Sequence, residues 1–274
     1  MTGVNKQEVG RIAFEALPNT RDLGYLASGS GQQILPQRLI RSGALAEASR
    51  ADIHTLLTEY NVRTIIDMRT SEEQEKSPDP QNKMAETRFI DAPILGFSAT
   101  GITQENGLEG MLKALSGLKH DPDKLMCKLY KDMLLDSTGI KGFTRFFEVL
   151  ANADEGALLW HCSAGKDRAG LASVLLLTVL GVSQSEIVSD YLATNRFLAG
   201  RANKLKELVP ESLQTENVLQ SLHILNSADE AFLNAAITGA EEAFGSLDQY
   251  LEEALGVDSK AREVLCNKYL SSSH

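Results

Sequence analysis

Residues 161–170 read HCSAGKDRAG and lie between two apolar runs, GALLW before them and LASVLLLTVLG after. A strand that enters a tight loop and then a helix gathers backbone N–H groups at the helix N-terminus, where an anion binds readily. Gly165 and Gly170 permit the close turn and the tight helix packing. Arg168, six positions after Cys162, can fold back and hold two anion oxygens with its planar fork, a geometry lysine does not reproduce. Ser163, Ala164, Gly165 and Lys166 then line a phosphate-sized nest. Dipole and arginine favour the thiolate, which makes Cys162 a nucleophile. Beneath a bound phosphoryl group it can attack phosphorus in line and form a phosphocysteine, with loop amides and Arg168 stabilising the equatorial charge. A nearby acid must protonate the departing oxygen and later activate water. Asp167 is inside the loop; Asp121 and Asp123, in HDPDK, are its rivals. His161, at the end of a buried strand, is placed to fix the loop by hydrogen bonding rather than to transfer protons.

These residues need a scaffold that delivers them to one point. VRTIIDMR and GALLWHC read as short buried strands, each preceded by a helical pattern, DIHTLLTEYN and GFTRFFEVLAN. That alternation predicts an α/β fold with a central, mainly parallel sheet flanked by helices. PQRLIRSG and TRFIDAPI are further strand candidates. Asp67 and Arg69 fall at the C-terminal end of a predicted parallel strand, where ligand crevices form in such sheets, and Arg41 is a similar case. From residue 171 onward the apolar spacing is almost entirely helical, which predicts an extended C-terminal helical layer. Gly181, Gly245 and Gly256 sit where glycine caps would end helices, and Pro210 marks an irregular crossing. The chain reads as a single domain over 1–274, with the sheet in 1–170, helices in 171–274 and a candidate lid within 196–244. Residues 98–117, rich in Gly and Thr, are the candidate mobile loop.

Composition limits the ligand. The net charge of −10 argues against nucleic acid and against an anionic membrane, since both require a positive field. An anionic ligand must therefore meet a local positive pocket. Cys127, Cys162 and Cys266 are too few and too widely spaced for a disulfide framework or a zinc site, so no metal and no cofactor is expected. Neither a secretory signal nor a membrane span is legible, which leaves a cytoplasmic, non-integral protein as the expectation. Cys127 and Cys266 lie in helical patterns and read as structural.

Cys-x5-Arg preceded by His, at a strand-to-helix turn, resembles the signature loop of the cysteine-dependent phosphatases. HCSAGKDR is more narrowly similar to bacterial tyrosine and dual-specificity phosphatases with Lys and Asp inside the loop. NTRDLG (residues 19–24), LIRSGAL, IIDMRTSEEQEKSPDP, SDYLATN and FGSLDQYLEEALGV follow that family's other segments in order. The resemblance implies Asp167 as general acid in place of an aspartate on a separate loop. It implies that Asn19, Arg21 and Asp22 buttress the signature loop, and it associates Lys166 with phosphoinositide substrates. Asn195 either faces the site or makes a packing contact. Two positions depart from the family pattern: Ala169 stands where Ser or Thr follows the arginine, and Tyr25 stands where a second glycine follows Gly24. The expected function is hydrolysis of protein phosphotyrosine through a cysteinyl-phosphate. Dual-specificity or phosphoinositide hydrolysis is the alternative. Ala169 motivates a reading from another class, a phosphate-recognition module with weak turnover. Sulfur transfer is a third use of a cysteine in an anion-binding loop.

Overall fold

The computed structural model describes residues 10–96, 121–153 and 156–272; the loop expected at 98–117 lies outside them. Five strands form one sheet: β1 (Arg21–Asp22), β2 (Leu39–Ser42), β3 (Val62–Asp67), β4 (Arg88–Asp91) and β5 (Ala157–His161). Their order is β1-β2-β5-β3-β4. β2, β5, β3 and β4 run parallel, and only β1 is antiparallel to its neighbour. The four strand segments read from the sequence are therefore the four parallel strands. Their near-continuous apolar runs have a physical reason, since a parallel sheet is covered on both faces.

Alternation along the strands divides the core in two. From β5, Leu158 and Trp160 enter the larger cluster, whereas Ala157 and Leu159 enter the smaller one. In β3 the register shifts between Val62 and Thr64, so that Val62 and Ile65 share the smaller cluster despite their odd spacing. Helix α1 (Arg50–Thr58) covers this side with Ile53 and Leu56. It begins at a capping box in which Ser49 and Asp52 satisfy each other's backbone amides.

The other face carries the helical layer. α2 (Ser71–Lys76) follows β3, and α3 (Pro122–Leu135) and α4 (Ser137–Asn152) precede β5. α5 (Arg168–Val179), α6 (Gln184–Leu208), α7 (Glu216–Asn226), α8 (Glu230–Phe244), the short α9 (Leu247–Gln249) and α10 (Ser259–Tyr269) follow it. α5 is apolar on all sides because it lies between the sheet and the later helices, and eleven of its twelve residues are buried. Gly181, Gly245 and Gly256 all adopt positive φ at helix ends, as expected of terminal caps. Pro210 interrupts the chain between α6 and a 3-10 turn at Glu211–Leu213. The C-terminus is tied back to the start of the chain: Ile34 bridges Leu270, and the Ser271 amide donates to the Gln33 carbonyl. No helix among the described residues is long and apolar enough to cross a membrane.

Candidate active site

β5 ends at His161 and α5 starts at Arg168, so residues 162–167 form the expected strand–loop–helix turn at the C-terminal edge of the sheet. Gly165 has φ of +66°, and a Cβ there would lie 2.5 Å from the Ser42 carbonyl oxygen. Glycine is thus required by both conformation and space. The loop's carbonyls are held from outside. Asn19 Nδ2 donates to the Ala164 and Gly165 oxygens at 2.9 and 3.0 Å, and Arg41 Nη2 donates to Gly165 O at 2.9 Å. Pinning carbonyls outward turns the peptide N–H groups toward the loop's interior, which makes an anion nest.

Behind these clamps stands Asp190 of α6, which the sequence reading did not single out. Its carboxylate accepts from Arg21 Nε at 2.9 Å and Arg41 Nη1 at 2.7 Å. Arg21 also donates to Asn19 Oδ1 at 2.5 Å. Burial works against the Asp190 carboxylate, yet the two guanidiniums outweigh it and hold its pKa below the usual range. For Arg21, burial and the nearby Arg41 charge lower the pKa to about 10, so it remains a cation at neutral pH. Asp190 shares an inward stripe with Ile187, Tyr191, Thr194 and Phe197. An acid on such a stripe demands a buried cation, which is the signal that could have found it.

Asp22 departs from expectation. Its carboxylate accepts from the Gly24 and Gln37 amides and thus shapes the turn at the far end of β1 and β2 rather than the signature loop. Lys166 departs too. It is buried, and its ammonium donates to Asp167 Oδ1 at 2.7 Å and to the Ser227 carbonyl at 3.1 Å, instead of being a solvated loop cation or reaching into the nest. Asn195 bonds both the amide and the carbonyl of Ala228, which makes it a packing contact. Asp121 caps α3, and Asp121 and Asp123 are both exposed. Neither lines the pocket over Cys162.

Arg168 enters the site as half of a buried ion pair. Its guanidinium bonds Glu73 of α2 at 2.5 and 2.7 Å and Ser163 Oγ at 2.9 Å. Glu73 also accepts from Ser163 Oγ at 2.9 Å and closes a capping box with Thr70. Sequence reasoning missed Glu73. The pattern Thr70-x-x-Glu73 was readable as a cap, which gives no hint that the same carboxylate also holds Arg168.

A third cluster lies beside the cysteine. His161 Nε2 is 2.9 Å from Asp79 Oδ2, and Nδ1 is 3.3 Å from the Cys162 carbonyl. Burial depresses the imidazole pKa, but Asp67 and Asp79 more than compensate and raise it. When protonated, the imidazole donates at both nitrogens, to Asp79 and to the Cys162 carbonyl, and so ties the backbone at Cys162 to Asp79. Arg69 bonds Asp67 through a bidentate fork and reaches Asp79 at 3.0 Å. Asp67, Asp79 and His161 are the one group of metal-ligating side chains that converges among the described residues. Both carboxylates already serve Arg69 and His161, so the donor set is spoken for without a cation.

Cys162 is itself buried, at the base of a pocket lined by Ser163, Ala164, Asp167 and Arg168, with Leu95, Met126, Leu129, Met133 and Leu225 as walls. Of the segment expected to act as a lid, α7 supplies Leu225, whereas α8 contributes Phe232, Leu233, Ala236 and Ala240 to the core. Cys127 and Cys266 lie on α3 and α10, outside the pocket. Ala169 is fully buried, and its carbonyl accepts from Trp160 Nε1 and Ser173 Oγ.

A thiol under a backbone nest closed by arginine defines the cysteine-dependent phosphatase class. The chain belongs to the tyrosine phosphatase family, whose model matches residues 12–271. It is 31% identical over 250 residues to a Cupriavidus necator protein that carries an inferred tyrosine-protein phosphatase name, covering 90% of this chain and 85% of that one. It is 30% identical over 162 residues to a tyrosine-protein phosphatase of Nostoc commune, covering 59% of this chain and 50% of the relative. A triple specificity protein phosphatase, PtpB, of Mycobacterium tuberculosis is 30% identical over 105 residues, 35% of this chain and 38% of that one. The crystal structure of P. aeruginosa TpbA with phosphotyrosine overlaps 76% of this chain and 90% of that one, at 13% identity and a TM-score of 0.28, too distant to bear on the site.

Proposed function

We propose that the protein hydrolyses phosphotyrosine monoesters of proteins through a cysteinyl-phosphate on Cys162. The observation that carries this reading is the pocket: Cys162, Asp167 and Arg168 at its base and five aliphatic or thioether side chains as its walls. The apolar walls match an aryl ring and the thiol and arginine match its phosphate in chemistry; the enclosed space is about 30 Å³, so the walls must part to admit the substrate.

In the first step the Cys162 thiolate attacks phosphorus. The S–P bond forms, the ester P–O bond breaks, and its electron pair leaves on the phenolic oxygen, which takes the proton of Asp167. In the second step water attacks phosphorus, Asp167 takes the water proton, and the P–S bond breaks to restore the thiolate and free phosphate. Arg168 and the loop amides stabilise the equatorial oxygens in both steps. Glu73 engages both terminal nitrogens of Arg168, so the expected two-oxygen grip of the Arg168 fork on the anion is not formed here and Arg168 serves the phosphate through its charge, while Asn19 and Arg41 keep the nest open. A phosphoinositide, the alternative substrate, calls for additional cations, and the candidate cation Lys166 is engaged by Asp167 and Ser227. Phosphotyrosine is therefore the first choice.

Cys162→Ser should abolish phosphate release from phosphotyrosine while orthovanadate still binds. The wild-type enzyme should favour phosphotyrosine over phosphoserine and phosphoinositide when all three are assayed side by side. Unchanged turnover in the variant would sink the mechanism. Tight binding of phosphopeptide without phosphate release by the wild type would instead support a recognition module.

A further inference from the structure

Asp167 Oδ1 accepts two hydrogen bonds, one from the Tyr130 hydroxyl at 2.5 Å and one from Lys166 Nζ at 2.7 Å; Oδ2 accepts from neither. Tyr130 lies on α3, and its oxygen in turn accepts from the hydroxyl of Tyr191 on α6 at 2.8 Å. Both rings are fully buried, meet edge to face with centroids 6.4 Å apart, and Tyr130 packs against Phe232 of α8. Burial, with the Asp167 charge adding to it, raises the Tyr130 pKa well above the ordinary phenol value, so its hydroxyl stays a donor. Asp167 alone of the three faces the pocket above Cys162.

We propose that Tyr130, backed by Tyr191, is a positioning residue for Asp167, holding Oδ1 so that Oδ2 is the oxygen that carries the proton to the leaving group. The proposal rests on the reading of Asp167 as general acid. A carboxyl group free to rotate would present either oxygen and bond water or the phosphate region; with Oδ1 saturated by two donors from the fold, one orientation remains. None of the donors Tyr130, Tyr191 and Lys166 lines the pocket over Cys162.

The test compares kcat/KM on phenyl phosphate, whose leaving oxygen needs a proton, with dinitrophenyl phosphate, whose leaving group does not. Asp167→Asn should lose on the order of 10²-fold or more on phenyl phosphate and far less on the activated ester. Tyr130→Phe should show the same split at about tenfold, the scale of one hydrogen bond to a charged group; Tyr191→Phe should show it more weakly. An equal loss on both esters in Tyr130→Phe, or no loss on phenyl phosphate, overturns the positioning role while Asp167→Asn still shows the split. Absence of the split in Asp167→Asn removes the general-acid reading and the proposal with it. If Tyr130→Phe does not fold, Tyr191→Phe decides: the split supports the role, and a uniform loss overturns it.

Discussion

Asp190 neutralises Arg21 and Arg41 together, and through them it holds Asn19 and the Gly165 carbonyl. Asp190→Asn should destabilise the fold on the order of 3–5 kcal/mol, because two buried guanidiniums lose their counter-charge; equilibrium denaturation measures this, and a change under 1 kcal/mol would refute the hub role. His161 gives a pH signature. Its pKa is raised by Asp67 and Asp79 against the pull of burial, so its stabilisation is full below the unfolded value of about 6.5 and fades as pH rises through the folded one. The stability gap between wild type and His161→Gln should therefore narrow as pH rises above about 6.5, and a constant gap would contradict the ion cluster. At this scale the sequence disclosed Cys162, Arg168 and Asp167, because their spacing alone assembles a nest. It did not disclose Glu73, Asp190 or Tyr130. Each serves the loop from another helix, Asp190 by way of Arg21 and Arg41, and no local spacing records contacts across 37 to 169 residues.

At the scale of elements, the parallel strands were legible as apolar runs and the C-terminal helices as 3.6-residue periodicity, since both patterns follow directly from burial. The turn after β1 was legible only as a departure, Tyr25 where the resembling family has glycine. The structure keeps the backbone that glycine would adopt: Tyr25 has φ of +79°, with its side chain 53% exposed. A left-handed conformation costs a non-glycine residue roughly 1–2 kcal/mol, and glycine returns about 0.5–1 of that as unfolded-chain entropy. Tyr25→Gly should thus raise stability by up to about 1 kcal/mol and leave activity unchanged, since the turn lies at the opposite end of the strands from the loop. A loss of stability would mean that the Tyr25 ring packs more than its exposure indicates.

Across the whole molecule, one hydrophobic cluster runs from Leu158 and Trp160 in the sheet through α5 to Tyr250, Leu265 and Tyr269 near the C-terminus. The site is built where that cluster meets the sheet edge: α2 supplies Glu73, α3 Tyr130, α6 Asp190 and α7 Leu225. A net charge of −10 leaves the attraction of an anionic substrate to the loop's own N–H groups and Arg168, since the neighbouring buried cations are paired with carboxylates. The proposed route passes the phosphoryl group through Cys162. Rapid quenching of the enzyme during turnover of an aryl phosphate, followed by mass analysis of the peptide containing residue 162, tests it directly. A phosphoryl adduct on Cys162 should form and decay with turnover; steady hydrolysis with an unmodified Cys162 throughout would overturn the cysteinyl-phosphate route.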